Sequence, residues 1–238
     1  MTQECRRLMI DKVLSTAIRL WLRSQVERVE ELEVKITGGD RQILGGYISR
    51  VSLTTNHAVY RGLHLRQIKL AGENIRVNLA QILKGKPLQL LEPVAVTGQV
   101  WLEETDLKAS LSSPLLVSAL TDLLSTLLTA NGIEQERHPL VDYQMHWQTI
   151  SVGNDKLTVG GRLIHSNNQE IAIAIRTGLR IANGSTLKLS PLYLETIPQL
   201  WSSTCNQLEM DLDSEVAIEQ LSLEAGKLFC SGGLTVLP

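Results

Sequence analysis

Five histidines, three cysteines and one knot of carboxylates are the residues of this chain that could do chemistry, and their spacing decides whether they do. A metal site needs His, Cys or carboxylate side chains that converge. His138 and His146 fall in a strand-and-turn region, while His57, His64 and His165 stand apart from one another. The pattern reads as surface or satisfied core histidines. In "WLEETDLKAS", Glu103, Glu104 and Asp106 could supply an acid and a base, but so polar a stretch is better read as a solvated turn or helix start. "ITGGDRQILGG" and "VGGRLI" are glycine-rich without a phosphate-loop lysine or the spacing G-x-G-x-x-G. No G-x-S-x-G elbow is present, and Ser112 and Ser113 precede a helix as capping residues. Cys5, Cys205 and Cys230 are odd in number and scattered, which gives no disulfide framework and fits a reducing compartment or indifference to redox. We therefore expect no catalytic residue, no metal and no cofactor.

The elements that would carry any site are easier to see. The chain has 238 residues, 43% hydrophobic and 20% charged, an ordinary globular balance. A formal charge of −2 argues against nucleic acid as a partner. Aromatics make up 4%, and Phe229 is the single phenylalanine. Leu, Ile and Val must fill the interior, either as plain packing or as a wall suited to flexible aliphatic chains. From about Asp11 to Glu31 the spacing predicts a long helix, with Ile10, Val13, Leu14, Ala17, Ile18, Leu20, Trp21 and Leu22 on one arc and Lys12, Arg19 and Arg23 opposite. That basic stripe is either a solvated face or a membrane contact. Ser113-Pro114 begins a second helix, "PLLVSALTDLLSTLLTANG", with a stop at Asn131-Gly132. It is apolar around most of its circumference, so it is buried or covers an apolar opening.

The rest reads as strand. "YQMHWQTISV", "KLTVGGRLIH", "EIAIAIRTGLRIA" and "TLKLSPLYL" are separated by turn signals, Asn183-Gly184 the strongest, and imply an antiparallel meander. A short helical piece from Pro198 to Leu208 and two closing strands follow. The fold class is α+β, a large antiparallel sheet with two helices. We expect one domain over residues 1–238: an amphipathic helix at 1–31, a first sheet region at 32–112, an apolar helix at 113–132 and a second sheet region at 141–238. No secretory signal and no run of about 18 apolar residues is seen. The expected place is cytoplasmic, or peripheral on the plasma or thylakoid membrane from that side.

One stretch resists a simple strand. In "VSLTTNHAVYRGLHLRQIKLAGENIRVN", Leu63 and Leu65 share one parity, Ile68 and Leu70 take the other, and Ile75, Val77 and Leu79 return to the first. Each change would exchange core for solvent unless the backbone corrects itself. A strand rolling around a tube with bulges would do this. So would ordinary hairpin turns, one of them at Gly72-Glu73.

The run "GGYISRVSLTTNHAVYRGLHLRQIKLAGENIRVN" resembles the LmeA-like bacterial phospholipid-binding domain, as do "VAVTGQVWLEETDLKASLSSPLL" and "IAIAIRTGLRIANGSTLKLSPLYL". The likeness spans roughly Leu32 to Leu194, and "KVLSTAIRLWLRSQVERVEELEVKI" looks like cyanobacterial members. What it implies is a tubular lipid-binding (TULIP-like) module, a strongly curved antiparallel sheet wrapped around the long N-terminal helix. The expected ligand is then a phospholipid or another hydrophobic molecule, held at a membrane surface and left unaltered. The lipid-facing residues would be Leu14, Ile18, Trp21, Leu116, Leu120, Leu123, Leu124 and Leu127, with Lys12, Arg19 and Arg23 meeting anionic headgroups. A packed interaction protein of the same fold, or a carrier of an isoprenoid or pigment, are the alternatives.

Overall fold

The computed structural model describes residues 3–130, 140–197, 206–212 and 214–238, with the backbone alone for 3–12, 40 and 197. Helix α1 (Gln3–Gln25) is followed by β1 (Arg28–Thr37), a short α2 (Asp40–Leu44), the hairpin β2 (Tyr47–Tyr60) and β3 (Leu63–Arg76), and a turn of helix α3 (Leu79–Ile82). Then come β4 (Val94–Glu103), α4 (Glu104–Ala109) and α5 (Pro114–Ala130). Seven strands complete the chain: β5 (Tyr143–Gly153), β6 (Lys156–His165), β7 (Glu170–Ile181), β8 (Thr186–Ile197), β9 (Leu208–Asp211), β10 (Val216–Glu224) and β11 (Lys227–Val236). The α+β class holds, as two antiparallel sheets ordered β1-β2-β3-β4-β11-β10 and β5-β6-β7-β8-β9. Two expectations are corrected. The first helix stops at Gln25 rather than Glu31, because Val29, Leu32, Val34 and Ile36 bury more as a strand against β2. The last two strands leave the second sheet region: β11 pairs with β4 and β10 with β11, a long-range choice that local pattern does not encode. The stop at Asn131-Gly132 and the piece at 198–205 lie outside the described residues, and Leu208 opens a strand.

The parity changes have a specific backbone cause. The β2–β3 register runs unbroken from Tyr47↔Arg76 to Tyr60↔Leu63, so no residue slips and no turn occurs at Gly72. Instead, His57 and Asn74 adopt φ of 50° and 56°, inside the left-handed region. Between the rungs Val29–Ala58–Leu65 and Glu31–Asn56–Gln67 stand Glu30, His57 and Arg66. There the buried phase changes on both β2 and β3, from Thr55 to Ala58 and from Ile68 to Leu65. At Asn74 it changes again, bringing Ile48 and Ile75 inward. A third correction on β10 is a bulge between Ile218 and Gln220.

The residues turned outward at the first correction are tied together. Arg66 Nη1 donates to His57 Nε2 at 2.8 Å, which leaves the ring proton on Nδ1, 3.4 Å from Glu30 Oε2. The same guanidinium reaches Glu103 at 2.6 Å and Asp106 at 3.3 Å. Asp106 also accepts the Glu103 amide at 2.8 Å, so the carboxylate knot is a helix start clamped by an arginine.

Two apolar clusters result. In one, α1 places Leu14 and Ile18 on β1, α2 and α3, against Val34, Ile43, Ile48 and Ile75. In the other, α5 buries Leu120, Leu123, Leu124, Leu127 and Leu128 against the second sheet, with Leu102 and Leu223 from the first and Leu107 from α4. Ser113 Oγ accepts the Leu116 amide at 3.2 Å, the expected cap of α5. The sheets join where Gly226 N–H donates to Val152 O at 2.7 Å and Asp155 N–H to Leu223 O at 3.0 Å. Glu104 adds to this joint, accepting Lys108 Nζ at 2.6 Å and the Val152 amide at 2.9 Å.

At position 57 the left-handed backbone disfavours a β-branched side chain. His57→Val is expected to lower stability by about 2 kcal/mol, and His57→Gly by less than half as much, in urea unfolding. Equal losses would remove the backbone explanation. The Lys108 contact first, and then the Val152 amide, hold the Glu104 carboxyl below its ordinary range. Its contribution is therefore complete above the ordinary value of about 4.3 and fades as pH falls through the lowered one. The gap in urea midpoint between wild type and Glu104→Gln is expected to stay level near neutrality and to close below that pH.

Candidate functional site

Strand residues in register share a face, so the six-stranded sheet can be read across as rows. One row is Leu32–Thr55–Ile68–Val100–Cys230–Leu221, and the next is Val34–Leu53–Leu70–Gly98–Gly232–Ile218. The opposite face is polar. Along it Gln67 donates to Asn56 at 3.0 Å and Asn56 to Glu31 at 2.7 Å, while Lys69 lies 5.0 Å over the Trp101 ring. An apolar face on one side and water on the other is the usual economy of an antiparallel sheet.

The apolar face is only partly covered. Helix α1 packs on β1, in a cluster that takes in Val34 and Ile36 of β1 and Val51 of β2 and that reaches β3 and β4 only at the α2–α3 end, through Ile75, Val94 and Val96. A helix is about 10 Å wide and strands are about 4.8 Å apart, so one helix covers roughly two strands. At the far rung Leu65, Leu102, Leu228 and Leu223 belong to the cluster under α5. Between these covers Ile68, Leu70, Ile218, Leu221 and Cys230 are half-buried and belong to neither cluster. Gly98 leaves room there for Leu70, whose Cδ2 would stand 2.8 Å from a side chain at that position. Burial pushes the Cys230 thiol up from its ordinary range, so it presents a small apolar group rather than a nucleophile.

The helix residues expected to face a ligand fall in the two apolar clusters. Leu14 and Ile18 are buried, and Trp21 half-buried, in the α1 cluster. Leu120, Leu123, Leu124 and Leu127 are buried, and Leu116 half-buried, in the α5 cluster. Arg19 and Arg23 are exposed, as is Leu20 at 63%, which leaves the apolar arc drawn from the sequence. The side chain of Lys12 lies outside the described residues.

A second feature is an open cleft of about 700 Å³ with both charged and apolar lining. Arg28, Val59 and His64 form one rung of its floor, Arg61 and Gly62 come from the β2–β3 turn, and Ser112 to Pro114 from the start of α5. Gly62 has φ of 75°, and a side chain there would stand 3.0 Å from Ser113 Cβ, so hairpin and helix abut. Glu27 shares the cleft with the two arginines. Among the described residues there is no cluster of three or more His, Cys, Asp or Glu that could hold a metal, and no helix is long and apolar enough to cross a membrane.

An apolar sheet face left between two packed clusters is the kind of surface that an acyl chain can occupy. The family model for LmeA-like phospholipid-binding proteins matches residues 7–233. The chain belongs to the LmeA-like phospholipid-binding family. Neither the curated proteins nor the solved structures contain a match. Membership extends well past the stretch over which the resemblance was legible, and takes in β10 and β11, which build half of the uncovered face. Their alternation, "SEVAIEQLSLEA", was visible as strand. Their neighbour in the sheet was not.

Packed and half-buried leucines should answer differently to truncation. Leu124→Ala is expected to cost about 2–5 kcal/mol, as a hole in a fully buried site, and Leu221→Ala about 1 kcal/mol, read from urea unfolding. A loss at Leu221 as large as that at Leu124 would mean that the β10 face is closed core.

Proposed function

We propose that this protein holds a phospholipid by its acyl chains against the half-buried face of the six-stranded sheet and exchanges it with a bilayer without altering it. The observation that carries this reading is the set Ile68, Leu70, Ile218, Leu221 and Cys230: apolar, half-buried and outside both packed clusters, in two neighbouring rows completed by Val100, which packs against the α5 cluster, and by Gly98 and Gly232. In this reading the face is the inner wall of a curved, tubular lipid-binding module. Trp21 and Leu116, half-buried against the two clusters, would be the helix residues to touch a chain. Leu14, Leu124 and Leu127, fully buried, shape the walls behind it.

The energetics ask little of such a site. A diacyl lipid has about 30 methylenes, each gaining roughly 0.8 kcal/mol on leaving water, for a gross gain on the order of 24 kcal/mol. A bilayer already supplies that gain, so exchange is near balance if the face is about as apolar as a membrane interior. No catalytic group is needed. Along α1, Arg19 and Arg23 beside exposed Leu20 form a stripe suited to anionic headgroups, continuing towards Lys12 in the sequence.

Organic extracts of gently purified protein are expected to yield phospholipid by mass spectrometry, and delipidated protein to take up labelled phospholipid from vesicles. Loading should also slow the reaction of Cys230 with a water-soluble thiol reagent, with peptide mapping to separate it from Cys5 and Cys205. Empty extracts together with no uptake would sink the proposal in favour of a packed interaction protein.

A further inference from the structure

The end of the six-stranded sheet that carries α2 and α3 has an uncommon surface. Gly46 N–H donates to Ile43 O and Val77 N–H to Gly46 O, each at 2.9 Å, which sets the end of α2 against the end of β3. Leu83 N–H reaches Leu79 O, and Leu91 N–H reaches Arg76 O, both at 2.9 Å, so the segment after α3 returns to the same place. These segments bury Ile43, Leu79, Ile82 and Leu88 inward. Outward they expose Leu44 at 46%, Leu83 at 53% and Leu91 at 55%. Arg41, Lys84 and Lys86 are exposed beside them, and none makes an ion pair with another side chain among the described residues. Of the acidic residues nearby, Glu92 is engaged by Arg76 at 3.5 Å, and Asp40 opens α2.

We propose that this end of the molecule docks on an anionic bilayer, with Leu44, Leu83 and Leu91 entering the headgroup boundary and Arg41, Lys84 and Lys86 meeting lipid phosphates. It rests on the reading that the protein exchanges phospholipid, and adds which surface meets the membrane. The chemistry separates a bilayer from a protein partner. Protein interfaces are depleted in lysine at their centres. Leucines interspersed with unpaired lysines match the boundary of an anionic membrane, where the ammonium groups stay in the headgroup layer and the leucines enter beneath.

The test is sedimentation of the full chain with vesicles of phosphatidylcholine, alone or mixed with phosphatidylglycerol. Leu83→Ser with Leu91→Ser is expected to weaken partition onto mixed vesicles by about tenfold or more, with thermal unfolding unchanged because both side chains are exposed. Lys84→Glu with Lys86→Glu should weaken it by about tenfold on mixed vesicles and little on phosphatidylcholine alone. The proposal is overturned if both variants sediment as wild type does, if only Arg19→Glu with Arg23→Glu on α1 loses binding, or if the wild type sediments with neither vesicle. Phospholipid in organic extracts of the same preparations would, in any of those cases, leave acyl-chain binding standing and remove only this docking surface.

Discussion

The constraint on which this structure depends is that one face of a six-stranded sheet must stay apolar while its strands alternate with period two. Three local corrections meet it, at His57, at Asn74 and at the bulge after Ile218. A left-handed non-glycine residue costs roughly 1–2 kcal/mol. Each correction turns inward residues such as Leu65 and Ala58, or Ile48 and Ile75, and burying a large aliphatic side chain is worth about 1.5–3 kcal/mol. Burial therefore exceeds the backbone cost. Arg66 gives the first correction its direction. Without it the guanidinium would point to the side of Leu102, and with it the group reaches Glu103, Asp106 and His57 instead.

Coverage of that face is set by width. Six strands at about 4.8 Å spacing span roughly 24 Å, more than twice the width of a helix. Helix α1 lies on the β1 side, and α5 is committed to the second sheet. The columns of β3, β4, β11 and β10 are consequently left partly bare in their middle. A fully interlocked wall could not admit a chain without losing packing of several kcal/mol per displaced side chain. A half-buried one has no such contacts to lose, which is why the uncovered columns, and not the buried leucines of the helices, are the better site for an exchangeable ligand.

How much of this was legible follows from the range of each interaction. The two helices, the cap at Ser113, the four-strand meander and the α+β class all rest on signals a few residues long, and they appear in the structure. The parity changes were legible as a problem, and their solution was not: Asn tolerates positive φ, but nothing local distinguishes Asn74 from Asn56, which is extended. The pairing of β11 with β4 joins residues more than a hundred positions apart, and it decides which apolar side chains face one another. For that reason a sequence reading gathered Leu14 and Leu124 into one site, where the fold puts them in separate clusters, and passed over Ile218, Leu221 and Cys230.

The two ends of the sheet also differ in a way that bears on exchange. At the hairpin end the cleft gathers Arg28, Arg61, His64 and Glu27, groups that need water or a polar partner. At the other end leucines and unpaired lysines share the surface. A chain leaving a bilayer must cross the headgroup layer, where its methylenes are most costly, and that cost falls when apolar protein surface is already in place beneath the layer. The α2–α3 end offers such surface, and β2 and β3 run from it, about 45 Å at 3.3 Å per residue, to the cleft at the hairpin. On the proposed reading, this difference between the ends would give a lipid one end to enter by and the half-buried face to follow.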